Sequence, residues 1–286
     1  MRRKLIAALA ALTAAFGLAF AAAPAQASTG GTADGDAHPG VAMIVFYTAE
    51  GRFRCSGALI SPTVVLTAAH CTDSTVGKTL VTFDSVIAEQ SPAGFPAAAH
   101  PSLGYTSTDL AGHISGTAVA DPAFSNFTDK NNWNDVGIIK LDSPVSQQPY
   151  SLAPAGTLDA IAPGDVPKTV VTAVGYGAEL AKPDSGPQRR VPVSFPMIRR
   201  SVDMDLQSVG PQIFTTHANV NPAQGTGGIC SGDSGGPIFL NDQIVGLTSF
   251  GNKNCLALDG LQRVDVASIQ SWITSMENTP AGSPAA

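Results

Sequence analysis

Short apolar stretches, each broken after a few residues by Gly, Pro, Asp or Ser, set the rhythm of this chain. Val41–Tyr47, Gly57–Ile60, Val64–Thr67, Leu80–Phe83 and Val136–Leu141 are rich in β-branched residues and read as strands. A second set follows at Thr169–Val174, Ile213–Thr216, Pro237–Leu240, Ile244–Ser249 and Leu261–Val264. Between them, the stretch from Pro144 to Pro167 is dominated by turn formers and reads as a linker. The pattern predicts two antiparallel barrels. Only the end changes period. Val266, Ile269, Ile273 and Met276 recur at helical spacing, with Asp265 positioned to stabilise a first turn. Beyond Glu277 the chain is small and proline-bearing, and a disordered tail is expected over 278–286.

One region breaks the rhythm. From Ser85 to Asp129 the sequence is small, polar and weakly patterned, with Pro92, Pro96, Pro101 and Pro122. It reads as long surface loops, either shaping access to a site or a tolerated insertion.

The N-terminus carries Arg2-Arg3-Lys4, an apolar run from Leu5 to Phe20, and Ala25-Gln26-Ala27, the layout of a cleaved secretory signal over residues 1–27. An uncleaved anchor is the competing reading. Cleavage of the 286-residue chain leaves 259 residues and shifts the formal charge from −6 to −9. An acidic surface argues against nucleic acid and anionic lipid as partners. The expected product is a secreted, soluble monomer with no membrane contact after cleavage. Its four cysteines suggest two disulfides, for which the sequence alone permits three pairings. Their scattered spacing does not suit a zinc site, and neither metal nor cofactor is expected.

The chemistry lies in three segments. Gly232-Asp233-Ser234-Gly235-Gly236-Pro237 sets a serine between glycines, Thr67-Ala68-Ala69-His70-Cys71 sets a histidine beside a cysteine, and Asn134-Asp135 leads into an apolar strand. A serine needs a base to take its proton, and the base needs an acid to hold its tautomer. The serine motif alone also satisfies the Gly-x-Ser-x-Gly elbow of α/β-hydrolases, whose histidine follows the serine. Here all five histidines precede Ser234. Subtilisin order could use Asp34 or Asp36, but Pro237 and the strand after it leave no helix for the serine to cap. The order His70, Asp135, Ser234 resembles the chymotrypsin-like, trypsin-type serine peptidases.

That resemblance implies an all-β fold of two six-stranded antiparallel barrels with a C-terminal α-helix. Residues 28–145 would form the barrel bearing His70 and Asp135, and 146–277 the barrel bearing Ser234 plus the helix. It selects the disulfides Cys55–Cys71 and Cys230–Cys255. The N–H groups of Gly232 and Ser234 would form the oxyanion hole. Ser249 would bond Asp135, while Phe250 and Gly251 would flank a bound peptide. Gly228 would form the base of the side-chain pocket, trimmed by Ile229 and walled by Gly251 and Gly260, which implies cleavage after apolar residues. Asp259, if turned inward, would favour basic ones. The implied activity is endopeptidase cleavage of peptide or protein substrates, with a proteinaceous inhibitor as a further partner. The alternative is a catalytically silent homologue that only binds.

The family's usual activation pairs a freed N-terminal amine with the aspartate before the serine. Ser28-Thr29-Gly30-Gly31 directly follows the signal cleavage site. The expectation is therefore an ion pair between the Ser28 amine and Asp233, with an internal cation as the alternative.

Overall fold

The computed structural model describes residues 31–89, 94–180, 193–217, 227–251, 255 and 258–279. The expected signal segment, Ser28 and the chain from 280 lie outside these residues. Six strands form the first barrel: β1 (Val41–Thr48), β2 (Gly51–Ser61), β3 (Val64–Thr67), β4 (Val76–Thr82), β5 (Ile114–Ala120) and β6 (Gly137–Leu141). They close in the order β1-β2-β3-β6-β5-β4. The second barrel comprises β7 (Val170–Gly175), β8 (Arg200–Val209), β9 (Ile213–His217), β10 (Pro237–Leu240), β11 (Gln243–Phe250) and β12 (Leu258–Arg263). Its order is β7-β8-β9-β12-β11-β10, the same winding repeated.

Two of these strands were not anticipated. β8 alternates cleanly, with Val202, Met204 and Leu206 buried in the second core. Its interleaved Ser201, Asp203 and Asp205 mask that period when apolar runs alone are sought. β5 falls inside the region read as loops. Its residues are small because the barrel is tight there: a Cβ on Gly116 would stand 2.5 Å from the Lys140 carbonyl oxygen.

Each barrel has its own apolar interior, and a third cluster fills the seam. Ile44, Leu59, Val65, Val81 and Ile139 pack in the first barrel, and Val171, Phe214, Ile238, Val245 and Leu261 in the second. Val41, Leu66, Ile138, Val174, Tyr176 and Phe239 join across the seam with Ile269 and Ile273 of the helix α1 (Ala267–Glu277). Burying each of those two isoleucines contributes about 1.5–3 kcal/mol. Asp265 does not cap the helix. It binds Arg263 at 2.8 Å and accepts the Leu158 N–H at 2.8 Å, so a buried cation claims the carboxylate.

The start of the described chain belongs to the second barrel, not the first. Thr32 and Ala33 pair with Ser201 and Arg200 at the edge of β8. Asp34 and Arg199, both buried, form an ion pair at 2.8 Å just beyond. Both expected disulfides are present, Cys55–Cys71 and Cys230–Cys255, with sequence separations of 16 and 25. Loops of this size suggest about 3 kcal/mol of stabilisation from each.

Candidate active site

Strand β3 ends at Thr67, and one 3-10 turn, Ala69–Cys71, presents His70 at the seam. The turn sits tightly on β6: a Cβ on Gly137 would lie 2.2 Å from the Thr72 hydroxyl. Asp135, two residues before β6, is fully buried. Its carboxylate accepts the His70 backbone N–H at 2.9 Å and meets ring Nδ1 at 2.8 Å. With Nδ1 donating, Nε2 is left as the basic nitrogen.

The second barrel completes the acid's surroundings. Ser249 at the end of β11 donates to Asp135 Oδ2 at 2.6 Å, and Trp133 Nε1 donates to the Ser249 hydroxyl at 3.0 Å. The Asp135 N–H goes to Gln262 Oε1 at 2.8 Å, and the Asn134 N–H to Gln212 Oε1 at 2.8 Å. Asn134 adopts φ +47°, a conformation asparagine tolerates better than most residues. The sequence reading found Ser249 but missed Trp133, Gln212 and Gln262. No local motif marks a glutamine as the clamp of an aspartate in the other barrel.

Ser234 lies on the turn leading into β10. Its carbonyl accepts the Ser56 N–H from β2 at 2.8 Å, while the Ser56 hydroxyl donates to the Gly232 carbonyl at 2.9 Å. Gly235, at φ +73°, presses against the histidine segment, where a Cβ would lie 2.0 Å from Thr67 Oγ1. The Ser234 turn is thus wedged between β2 and the residues just before His70. Among the described residues, the N–H groups of Gly232 and Ser234 donate to no protein acceptor. Two donors without a partner among the described residues, one on each side of Asp233 at a partly exposed turn, are suited to an oxyanion.

Asp233, beside them, is buried and accepts N–H groups from Gly177 at 2.8 Å and Cys230 at 2.9 Å. Two glycines make room for it: Cβ atoms on Gly175 and Gly177 would approach its carboxylate oxygens to 2.4 and 2.1 Å. The Arg54 guanidinium of β2 is also buried nearby; desolvation lowers its pKa and the charge of Asp233 works the other way. Neither terminal nitrogen of Arg54 has a hydrogen-bond partner among the described residues. Ser28 is not among those residues. Cys55 and Cys71 adjoin His70, but as a disulfide they offer no thiolate to a metal.

The pocket candidates separate into two groups. The side of Gly251 that would bear a Cβ faces Asp259 Oδ1 at 3.1 Å and the Ile229 side chain at 3.6 Å. Asp259 Oδ2 accepts the Ile229 N–H at 3.1 Å, and Gly228 is buried alongside in the chain. Asp259 thus does turn inward. Gly260 occupies the opposite face of β12, beneath the Phe250 ring, where a Cβ would lie 2.0 Å from ring carbon Cζ. Adjacent strand residues point to opposite faces, so Asp259 takes the wall position considered for Gly260.

An aromatic row borders the site. His70 stands 5.7 Å from Phe127, Phe127 5.3 Å from Trp133, and Trp133 5.3 Å from Phe250, centroid to centroid. Phe127 and Phe250 are exposed. The Ser85–Asp129 region therefore contains a barrel strand and a loop that carries Phe127 to the histidine.

Comparison with known proteins agrees with this architecture. The family model described as Trypsin matches residues 30–273. A trypsin of Saccharopolyspora erythraea is 29% identical over 219 residues, covering 75% of this chain and 82% of that protein. Serine protease 1 of Rattus norvegicus is 27% identical, covering 78% and 80%. Among solved structures, HL collagenase aligns with a TM-score of 0.58 at 20% identity, covering 90% of this chain and 98% of that one. Human heparin binding protein aligns with a TM-score of 0.58, also at 20% identity, covering 90% and 100%. With the family model spanning both barrels, the chain belongs to the trypsin family of serine endopeptidases.

Proposed function

We propose that His70, Asp135 and Ser234 form the catalytic triad of a secreted endopeptidase released by cleavage after Ala27. His70 Nε2 takes the Ser234 proton as Oγ attacks the scissile carbonyl, forming a tetrahedral intermediate. The N–H groups of Gly232 and Ser234 hold its oxyanion, and His70 returns the proton to the leaving amine. Water then repeats the sequence on the acyl-enzyme. The observation that carries this reading is the fully buried Asp135 carboxylate, which engages both the Nδ1 and the backbone N–H of His70.

Gly228, Ile229 and Gly251 border a side-chain pocket whose charged group is Asp259. While that acid is protonated the pocket is neutral, and cleavage follows apolar residues. Phe250 and Gly251 flank the peptide on the acyl side. A fluorophosphonate probe tests the hydrolytic assignment: it should label the secreted protein at Ser234, and Ser234→Ala should abolish labelling. An unlabelled, folded protein would mark a silent homologue.

Activation follows from the Ser28 amine pairing with Asp233. Supporting this, residues 32–34 are anchored to the barrel that also carries Asp233. Arg54 is the internal cation that could replace the amine. Blocking the mature amine by acetylation should suppress labelling if Ser28 acts, whereas Arg54→Met should do so if Arg54 does.

A further inference from the structure

Two side chains of the first barrel grip the Ser249 hydroxyl. It donates to Asp135 Oδ2 at 2.6 Å and accepts the indole N–H of Trp133 at 3.0 Å. An indole nitrogen can only donate, and a hydroxyl has a single hydrogen on a rotatable bond. With Trp133 holding a lone pair, the Ser249 hydrogen is directed at the acid, and the O–H is polarised into a better donor. Oδ2 is the same oxygen that meets His70 Nδ1 at 2.8 Å. One chain of hydrogen bonds therefore runs from Trp133 through Ser249 and Asp135 to the imidazole.

The half-buried ring of Trp133 also belongs to the aromatic row, 5.3 Å from Phe127 and 5.3 Å from Phe250, both exposed. Its carbonyl accepts the Ser125 N–H at 3.2 Å and the Ser125 hydroxyl at 3.3 Å, which ties the neighbouring turn to it. In that turn Asn126 and Phe127 hold φ of +49° and +63°, two successive left-handed residues without glycine. Such strain persists only where the surroundings fix it, and it clusters at working sites. Here it sets the Phe127 ring 5.7 Å from His70. Resting on the peptidase reading above, we infer that Trp133 is a positioning residue of the triad. It ties occupation of the Phe127–Trp133–Phe250 row by the acyl part of a peptide to the orientation of Asp135. A side chain packed on the row restrains the indole, the indole restrains the Ser249 hydroxyl, and the hydroxyl restrains Oδ2 against His70. Extending a substrate along the acyl side then raises kcat and not affinity alone.

Two measurements test the inference. The first uses two peptide anilides with the same terminal residue, one of them extended by three residues on the acyl side. Trp133→Phe, which keeps an aromatic ring and loses the N–H, is compared with wild type, Ser249→Ala and the double variant. On the longer peptide Trp133→Phe should lower kcat about 3–10-fold with KM little changed, and should remove most of the kcat gain that extension gives the wild type. In the Ser249→Ala background the same replacement should cost under about 2-fold, because its route to the acid is already cut. An unchanged kcat, or equal losses in both backgrounds, overturns the inference, the latter marking a purely structural role. The second follows the Trp133 indole N–H by NMR, told apart from the chain's other tryptophan by Trp272→Phe. In Ser234→Ala the longer peptide should shift this resonance, and Ser249→Ala should move it upfield. A resonance indifferent to both overturns the inference whatever the stability of Trp133→Phe. Absence of fluorophosphonate labelling of the wild type instead overturns the peptidase reading, while the indole resonance still reports on the link from Trp133 to Ser249.

Discussion

The Ser249 hydroxyl lies 2.6 Å from Asp135 Oδ2, bridging the two barrels at the acid that holds His70. The first barrel supplies the acid and imidazole; the second supplies donors that hold the acid in place. Ser249→Ala removes one donor to a buried anion, an interaction worth about 1.5–3 kcal/mol. Turnover should fall about 10–100-fold with KM little changed, because positioning rather than substrate binding is lost. A selective rise in KM would place Ser249 in substrate recognition.

Asp135→Asn should keep the fold and lose far more. An amide can present its NH2 to His70 Nδ1, which moves the ring proton to Nε2 and removes the base. Loss of about four orders of magnitude in kcat is expected, with the melting temperature nearly unchanged. Near-normal turnover would assign the orienting role to another acid.

Particular residues explain what the sequence did and did not reveal. His70, Asp135 and Ser234 were legible because each sits in a compact local motif, and the helix because its apolar period is intact. β8 was passed over although Val202, Met204 and Leu206 alternate, because charged residues separate them. Ser56, Gln212 and Gln262 were invisible for a different reason. Their importance comes from contacts 78 to 178 positions away across the seam, as in Ser56 N–H to the Ser234 carbonyl, the Asp135 N–H to Gln262 Oε1 or the Asn134 N–H to Gln212 Oε1. Phe127 was hidden in a segment without period, yet φ +63° at that residue carries its ring to His70.

Gly177 should be intolerant of any side chain. A Cβ there would stand 2.1 Å from Asp233 Oδ2 and displace a carboxylate that the Gly177 N–H itself holds. Overpacking of this kind costs about 1–3 kcal/mol, and moving Asp233 disturbs the flanking N–H groups of Gly232 and Ser234. Gly177→Ala should lower the melting temperature and cut fluorophosphonate labelling more than tenfold. Gly164→Ala, where nothing lies within 4 Å, is the matched control and should be silent. Equal behaviour of the two variants would sink the argument.

Asp259 also makes a stability prediction independent of turnover. Burial pushes its carboxyl up to about 7 in the folded protein, above the ordinary value of 3.8, so the folded protein binds the proton more tightly. The stabilisation from that proton is complete below pH 3.8 and is lost as pH rises towards and through 7. A shift of about three units corresponds to roughly 4 kcal/mol. Asp259→Asn does not titrate. Its buried NH2 adds a constant penalty, so the informative quantity is how the difference between variant and wild type changes with pH. Relative to wild type, the variant should gain stability steadily from pH 4 to 7 and level off above 8, measured by denaturant midpoints. A difference that stays constant across this range would mean the carboxyl is already ionised at acid pH, its charge compensated within the fold.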